Sequence, residues 1–154
     1  MNDEIVGKVR HIIGIIVFDG ERFLLLRRCL NWHGWEYAKG GIEENEGFEE
    51  AIKRELFEET GLKKYEVIGK VNEVEFFDNV RKGKGHMFNY LVRVSSNSVV
   101  KLNNEHVLDS KEVREHDDFK WCFPQEALKK LTHADTKKSL REAIKMLGLS
   151  LKEN

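Results

Sequence analysis

The N-terminal part of the sequence has the hydrophobic pattern of a buried strand pair. Residues 9–18 are rich in β-branched and apolar side chains and end at Asp19 and Gly20, a two-residue turn signal. A second apolar stretch follows over residues 22–28, so the pattern predicts a hairpin or a pair of strands. Residues 12–18 are apolar without alternation, which indicates a strand covered on both faces by helices. The pattern therefore predicts a layered α/β fold.

The apolar period changes to that of a helix further along the chain. Phe48, Ile52 and Leu56 recur at helical spacing, and Gly61 follows as a helix terminator. A helix is therefore predicted over residues 48–60. Its apolar face can fasten it to the sheet while the opposite face stays accessible.

The middle of the chain contains two further strand-like segments. Residues 65–77 and 87–94 are rich in Val, Tyr and Phe and are predicted to be strands. Between them, the glycines and lysines of residues 81–85 suit an exposed turn. Residues 97–114 show no clear pattern.

The C-terminal part of the chain is predicted to be mainly helical. Residues 119–123 suit a short strand, and Pro124 is well placed in the first turn of a helix that runs to residue 131. Residues 135–147 repeat apolar side chains at helical spacing, including Leu140 and Ile144. The chain is therefore predicted to close with a helix.

Length and charge limit the classes of protein to which this chain can belong. Its 154 residues suit one domain, and 26 Lys and Arg nearly balance 27 Asp and Glu. A net charge of −1 gives no strong field for attracting nucleic acid or anionic lipid. The longest apolar run is far shorter than the ~20 residues of a membrane helix, and Cys29 and Cys122 lack the spacing of a zinc site or a disulfide framework. We expect a single cytoplasmic domain over residues 1–154 with no membrane partner, and the sequence does not indicate an oligomeric state.

The acidic residues are concentrated in one segment of this nearly neutral chain. Residues 42–59 contain eight acidic side chains against two basic ones. On a helix, Glu55, Glu58 and Glu59 are related by three- and four-residue steps, so their carboxylates share a face. Like charges at this spacing repel by about 0.2–0.5 kcal/mol per pair. A solvated acidic face is one interpretation. Binding of Mg²⁺ or Mn²⁺, which prefer carboxylate oxygens, is the other.

The spacing of this segment favours the second interpretation. It reads Gly, five residues, Glu, seven residues, then Arg-Glu-apolar-x-Glu-Glu-x-Gly-apolar. The matching positions are Gly40, Glu46, Arg54, Glu55, Leu56, Glu58, Glu59, Gly61 and Leu62. This pattern resembles the signature of the Nudix family, with the Nudix box at residues 40–62. The resemblance implies the Nudix fold, an α/β fold in which a mixed β-sheet is sandwiched between α-helices.

The resemblance also implies roles for the charged residues of the motif. Glu55, Glu58 and Glu59 would bind metal ions, with more than one ion per site. Glu46 would support the loop or bind an additional metal, and Arg54 would orient a neighbouring glutamate through a charge-assisted hydrogen bond. Mg²⁺ or Mn²⁺ is the implied cofactor.

The resemblance implies backbone roles for the remaining motif positions. Gly40 would let the backbone approach the metal site, and the carbonyl of Lys39 is a candidate further oxygen ligand. Gly61 permits the left-handed turn that ends the helix. The family often has Gly before the first motif Glu, where this chain has Asn45. Asn tolerates positive φ better than most residues, so the turn can survive.

The reaction implied by the resemblance is hydrolysis of a nucleoside diphosphate linked to another group, by attack of water on phosphorus. A carboxylate takes the proton from water, and Glu55 is the first candidate, with Arg54 beside it in the catalytic motif. Glu115 is the second candidate, because it precedes Trp121 by six residues. Similar enzymes carry a further metal-binding or catalytic glutamate at that position. For Glu115 the alternative is an ordinary surface carboxylate.

The substrate signals point to two Nudix subgroups. The strand from His86 to Tyr90 resembles the Lys-x-x-x-Tyr strand of the diadenosine tetraphosphate hydrolases, with His in place of Lys. Trp35 and residues 40–42 and 54–59 resemble the RNA 5′ pyrophosphohydrolases. A small dinucleoside polyphosphate is the leading prediction, because RNA binding normally needs a basic surface and the net charge is −1. An RNA 5′ end, ADP-ribose, an oxidised nucleoside triphosphate and a non-catalytic nucleotide-binding module are the alternatives.

The candidate substrate-binding residues are basic or aromatic. The full set is His86, Tyr90, Arg28, Lys82, Lys84, Trp35 and Phe88. The two lysines belong, with Arg81, to a basic cluster that either meets a polyphosphate tail or lies on a solvated turn. Strand alternation sends Arg27 and Arg28 to opposite faces, so one of them can reach the active site. The aromatic candidates can stack on a base or pack in the core.

Overall fold

The computed structural model describes residues 9–79, 82–102, 105–108 and 111–151, with side chains described throughout except at 105–108 and 111–113. Arg81, part of the predicted basic cluster, lies outside these residues. The strands are β1 (Arg10–Phe18), β2 (Phe23–Arg28), β3 (Gly34–Glu36), β4 (Ala38–Gly41), β5 (Glu66–Asp78), β6 (Gly83–Arg93), β7 (Glu105–Leu108), β8 (Lys111–Arg114) and β9 (His116–Cys122). The helices are α1 (Phe48–Thr60), α2 (Pro124–Lys130) and α3 (Ala134–Met146).

The main sheet is mixed and is built around β1. This strand pairs in parallel with β6, and antiparallel with β4 and with β2. The strand order is β3-β2-β1-β6-β5, with β4 also paired to β1 and β9 also paired to β2. β7 and β8 form a separate two-stranded antiparallel sheet. The predictions of a mixed sheet and of a turn joining β1 to β2, where Phe18 faces Phe23, are confirmed.

Helices cover both faces of the sheet, as the unbroken apolar character of β1 predicts. Ile13 and Ile15 belong to the core on the side of α1, where Ile52 and Leu56 are fully buried. Ile16 belongs to the other core, which contains side chains of α2 and α3. Because neighbouring residues of β1 point to opposite faces, this one strand supports both helical layers. The predicted α/β sandwich is therefore confirmed.

Helix α1 covers the residues that its periodicity predicts. At its start, the backbone N–H of Gly47 donates to the side chain of Glu50 at 3.2 Å. At its end, Gly61 adopts φ +74° and donates its N–H back into the last turn, which is the left-handed termination expected of this glycine. Phe48 departs from the expected buried face. It is 41% exposed, with its ring 4.8 Å from that of Phe88 at the edge of the contact between helix and sheet.

The structure corrects part of the strand prediction. β6 begins at Gly83, so Gly85 lies in a strand and not in the turn predicted for residues 81–85. Gly85 pairs with Phe76 of β5, and a Cβ on Gly85 would lie 2.2 Å from the Phe76 ring. The predicted turn is too long because the prediction assigns Gly85 to chain reversal. In the structure, this glycine instead allows close packing of β6 against an aromatic ring. The short strands β3, β4, β7 and β8 are not predicted by the sequence pattern.

None of the three described helices is both long and apolar enough to cross a lipid bilayer.

The contact between α1 and the sheet generates a test of the fold. Ile52 is fully buried in this contact, so Ile52→Ala should lower the free energy of unfolding by about 2–5 kcal/mol through lost burial and cavity formation. Ile68, on β5, is 41% exposed, and Ile68→Ala should cost less than about 1 kcal/mol. Urea unfolding followed by circular dichroism measures both. Equal losses for the two variants would contradict the assigned packing.

Candidate active site

A cleft of about 810 Å³ opens beside the acidic face of α1. It is lined by carboxylates from α1 and from the bend before β9, by the β4 backbone at Lys39 and Gly40, and by side chains of β5, β6 and α3. The four lining glutamates are Glu55, Glu58, Glu59 and Glu115. The fold thus brings together motif residues and a glutamate that lies far from the motif in sequence.

Two of the α1 glutamates are buried although they are acidic. Glu55 and Glu59 are 7% and 4% exposed, whereas the side chain of Glu58 is 45% exposed. An oxygen of Glu59 accepts the backbone N–H of Lys39 at 3.2 Å. The predicted sharing of one helix face holds for all three residues, because each lines the same cleft.

Gly40 lies directly against Glu55. A Cβ at this position would lie 2.0 Å from the carboxyl carbon of Glu55, which real contacts do not allow. The absence of a side chain therefore lets the β4 backbone approach the carboxylate. Asn45 in the following loop adopts φ +66°, as its tolerance of positive φ predicts.

Arg54 ties the motif loop to the glutamates of the helix. Its Nε and Nη2 donate to the two oxygens of Glu46 at 2.7 and 2.8 Å, and Nη2 also donates to the Gly41 carbonyl at 2.8 Å. Its Nη1 donates to Glu55 at 2.7 Å and to Glu58 at 3.3 Å. The hydrogen bonds from Arg54 lower the pKa of Glu46 to about 2. Because both Glu46 oxygens bind Arg54, the geometry favours loop support over metal binding for Glu46.

The electrostatics of the acidic cluster fit a bound cation. Burial raises the pKa of Glu55 to about 7, with further contributions from Glu58 and Glu115, although Arg54 acts in the opposite direction. Burial, followed by the charges of Glu115 and Glu55, raises the pKa of Glu59 well above its ordinary value. Four carboxylates line this cleft, and Arg54 and Arg28 contact three of them, Glu55, Glu58 and Glu115. Carboxylate oxygens in this arrangement suit a hard divalent cation.

Glu115 reaches the cleft with the help of Arg28. Nη1 of Arg28 donates to Oε1 of Glu115 at 2.6 Å, and Nε of Arg28 donates to the carbonyl of Leu30 at 2.9 Å. Arg27 points elsewhere and pairs with Asp117 at 2.7 Å. Of the two neighbouring arginines, Arg28 is therefore the one that lines the cleft.

Three of the predicted substrate contacts lie on the other face of β6. His86 stacks on Phe88 with ring centroids 4.5 Å apart, and the ring of Phe48 on α1 lies 5.5 Å from that of Tyr90. Met87, between two of them, lines the cleft instead. The structure thus does not bring His86, Phe88 or Tyr90 to the cleft, because strand alternation directs them to the opposite face of β6. On that face, Phe88 and Tyr90 lie against Phe48 of α1.

Three more of the predicted substrate contacts, Trp35, Lys82 and Lys84, also lie away from the cleft lining. The Trp35 ring packs near the core below α2 and α3, with Nζ of Lys130 4.5 Å from its centroid. Lys82, in the connection between β5 and β6, and Lys84, at the start of β6, are both exposed. Of the seven residues predicted to contact substrate, Arg28 is the one found among the described lining residues.

The structure adds cleft residues that the sequence analysis does not single out. Asn89 is fully buried; its Oδ1 accepts the hydroxyl of Tyr37 at 3.1 Å, and its Nδ2 donates to Asn72 at 2.8 Å. Trp32 lines the cleft with its ring 4.5 Å from that of His133. Asn89 could have been identified from the sequence, because it is a polar residue in the middle of a largely apolar strand. Trp32 lies between strands and carries no periodic signal.

Comparison with known proteins identifies the family. The family model for the NUDIX domain matches residues 8–143. The chain therefore belongs to the NUDIX domain family, and the resemblance in the sequence is confirmed.

The curated relatives match a short segment. The RNA pyrophosphohydrolase of Teredinibacter turnerae is 46% identical over 56 residues, which is 36% of this chain and 33% of that protein. The RNA pyrophosphohydrolase of Shewanella piezotolerans is 39% identical over 51 residues, which is 33% of this chain and 30% of that protein. The chain thus spans about a third of the length of these relatives.

Solved structures match over most of the chain but at low identity. The Ap4A hydrolase of C. elegans, in a binary complex, has a TM-score of 0.75 and 21% identity over 90% of this chain and 98% of that one. The MutT protein of Methanosarcina mazei has a TM-score of 0.70 and 21% identity over 94% and 98%. The NUDIX domain of Shewanella oneidensis NrtR, complexed with ADP ribose, has a TM-score of 0.71 and 16% identity over 96% and 94%. These similarities establish the shared fold.

The raised pKa of Glu55 generates a prediction about stability in the metal-free protein. Folding raises the pKa of Glu55 from 4.5 to about 7. The stability linked to this proton is therefore fully present below the pKa of the unfolded state and is lost as the pH rises through the pKa of the folded state. In EDTA, the melting temperature of wild type should fall between about pH 5 and 8, and Glu55→Gln should reduce that fall. Thermal melts at several pH values measure the difference.

Glu49→Gln is the matched control, since it removes an exposed carboxylate from the first turn of the same helix. It should keep the wild-type pH dependence over this interval. A Glu55→Gln protein whose melting temperature follows pH as wild type does would contradict the assigned environment of Glu55.

Proposed function

We propose that this protein is a metal-dependent pyrophosphohydrolase that cleaves a nucleoside diphosphate linked to another group, by attack of water on phosphorus. The observation that carries the proposal is the convergence of Glu55, Glu58, Glu59 and Glu115 on one cleft in a chain of the NUDIX family. Residues 1–154 act as one domain in this proposal. We assign it to the cytoplasm, because the free thiols of Cys29 and Cys122 suit a reducing compartment.

The carboxylates of Glu55, Glu58 and Glu59, with the carbonyl of Lys39, would hold Mg²⁺ or Mn²⁺, with more than one ion per site. When bound, such a cation polarises phosphoryl oxygens and lowers the pKa of bound water. Arg54 holds two of these carboxylates through hydrogen bonds of 2.7 and 3.3 Å. The chain thus orients its oxygen ligands before substrate arrives.

Two glutamates are candidates for accepting the proton of the attacking water. Glu55 is buried against Gly40 and lines the cleft, so its carboxylate can accept a proton from a water bound there. Glu115 lies across the same cleft, and its side chain is 16% exposed. Glu55 remains the first candidate because it belongs to the motif and is the more buried of the two.

A dinucleoside polyphosphate such as diadenosine tetraphosphate is the first proposed substrate. The basic residues Arg10, Arg28 and Lys39 line the cleft, and each has a carboxylate within 3.5 Å. Their charge is therefore already balanced, which favours a compact substrate over a long RNA backbone. Trp32 and Phe76 offer aromatic surface for a nucleobase. The Ap4A hydrolase of C. elegans shares the fold.

An RNA 5′ end is the second proposed substrate. The observation in its favour is that curated relatives with 39% and 46% identity over their matched segments are named RNA pyrophosphohydrolases. These segments cover about a third of each relative.

A substrate panel tests the proposal. Diadenosine tetraphosphate, a 5′-triphosphorylated oligonucleotide, ADP-ribose and an oxidised nucleoside triphosphate are incubated separately with the protein and Mg²⁺ or Mn²⁺, and products are separated by chromatography. We expect ATP and AMP from diadenosine tetraphosphate at the highest kcat/KM. Faster release of pyrophosphate from the oligonucleotide would favour an RNA 5′ end as the substrate. If none of the four compounds is cleaved, a non-catalytic nucleotide-binding module would explain the data better.

Replacing one metal-binding candidate should abolish most of the activity. Glu58→Gln keeps the size of the side chain but removes a charged oxygen ligand, and we expect kcat to fall at least about 10²-fold. Glu49→Gln makes the same chemical change on the exposed side of α1 and should keep wild-type kcat. Initial rates at saturating substrate and Mg²⁺ measure both. Equal rates for Glu58→Gln and wild type would refute the catalytic role of Glu58.

A further inference from the structure

Glu36 and His116 form a buried pair next to the cleft. Nε2 of His116 lies 2.7 Å from Oε2 of Glu36, and the side chains are 0% and 2% exposed, respectively. Glu36 ends β3 and His116 begins β9, and both strands pair with β2, whose last residue is Arg28. Arg28 lines the cleft, whereas the pair is not part of its described lining.

The pair is connected to the cleft through Arg28. Oε2 of Glu36 lies 3.3 Å from Nη1 of Arg28, and the same nitrogen donates to Glu115 at 2.6 Å. Nε of Arg28 donates to the carbonyl of Leu30 at 2.9 Å. These contacts fix the plane of the guanidinium, so the direction in which Arg28 presents its hydrogen bond to Glu115 depends on Glu36.

A second set of contacts joins the pair to the α1 glutamates. Oε1 of Glu36 lies 3.4 Å from Nζ of Lys39. The backbone N–H of Lys39 in turn donates to Glu59 at 3.2 Å. Glu36 therefore contacts residues on both the Glu115 side and the α1 side of the acidic cluster.

Stability alone does not explain this pair. Removing a carboxylate and an imidazole from water is costly, and well-packed apolar residues in place of buried ionic groups are often neutral or stabilising. Burial by itself would raise the pKa of Glu36, but the hydrogen bond from His116 and the charge of Lys39 lower it. Glu36 is thus held as a carboxylate at a position where it can direct a cation.

A metal ion held by this group is the competing interpretation. Glu36, Glu115 and His116 offer ligand atoms within 4.8 Å of one another. Nη1 of Arg28 already lies within 3.3 Å of both carboxylates. The guanidinium therefore supplies the positive charge at this position, and the arrangement favours an organising role.

We propose that Glu36 and His116 are positioning residues that hold Arg28 and, through Arg28, orient the carboxylate of Glu115 in the cleft. This inference rests on the proposed function for its effect on catalysis, because Glu115 affects a rate only if the cleft hydrolyses a nucleotide. The orientation of Arg28 itself does not depend on that function.

A double-mutant cycle tests the connection to Glu115. Replacing the pair with Glu36→Leu and His116→Leu should leave a folded protein, checked by its thermal melt, and should lower kcat about 10- to 100-fold. Glu115→Gln in wild type should lower kcat to a similar extent. Added to the Leu pair, it should lower kcat less than about twofold further, because residues that act through one another are not additive.

Two further variants separate positioning from general damage. His116→Gln keeps a side-chain N–H that can donate to Glu36 and should retain kcat within about threefold of wild type. Lys120→Leu with Glu126→Leu removes an exposed 2.7 Å ion pair that also involves β9 and should leave kcat unchanged. Two results would overturn the proposal. One is that the fold-losses in kcat from Glu115→Gln and from the double substitution Glu36→Leu with His116→Leu simply multiply when combined. The other is that Glu115→Gln has the kcat of wild type.

Side-chain NMR tests the orientation of Arg28 without using activity. In wild type, the Nε–H of Arg28 donates to the carbonyl of Leu30 and should exchange slowly with water. In the Leu pair it should exchange at least about tenfold faster, while the Arg54 Nε–H stays unchanged. Unchanged protection of Arg28 would overturn the inference, whatever the activity. Lost protection in a protein that cleaves none of the panel would support the positioning role and refute the proposed function separately.

Discussion

The site depends on one guanidinium that is shared among several carboxylates. Arg54 binds both oxygens of Glu46 in the motif loop and also reaches Glu55 and Glu58 on α1. A planar group with five donors can satisfy these acceptors together, which a lysine ammonium cannot do with the same geometry. Since Glu55 is only 7% exposed, its carboxylate would be costly to bury without such a partner. Arg54 therefore holds the motif loop in place and also offsets part of the negative charge of the cleft.

The sheet brings this local arrangement into contact with distant parts of the chain. β1 pairs with β4 on one side and with β6 on the other, so the backbone of Gly40 and the buried amide of Asn89 come to lie in one cleft. β2 carries Arg28 between β3 and β9 and so joins Glu36 to His116. Two arginines thus organise the carboxylates, one from within the motif and one from outside it.

How far the sequence predicts these features depends on the range of the interactions. Helix α1 is predicted with its observed bounds because both its periodicity and Gly61 act locally. Strands of three and four residues, such as β3 and β4, are too short to show a period. The spacing from His86 to Tyr90 indicates that both share a face of β6, but the face is chosen by packing against Phe48, which spacing does not report. The contact of Glu36 with His116 spans 80 residues and has no local signature.

The parallel pairing of β1 with β6 also has a consequence for how the molecule is made. Parallel neighbours cannot be joined by a tight turn, and this pairing unites segments separated by the whole of α1 and β5. Contacts of such long sequence separation slow folding because the loop between them must close first. During synthesis the glutamate-rich helix therefore emerges from the ribosome before the strand that completes its supporting sheet, and β9, which completes the contacts of Arg28, emerges later still.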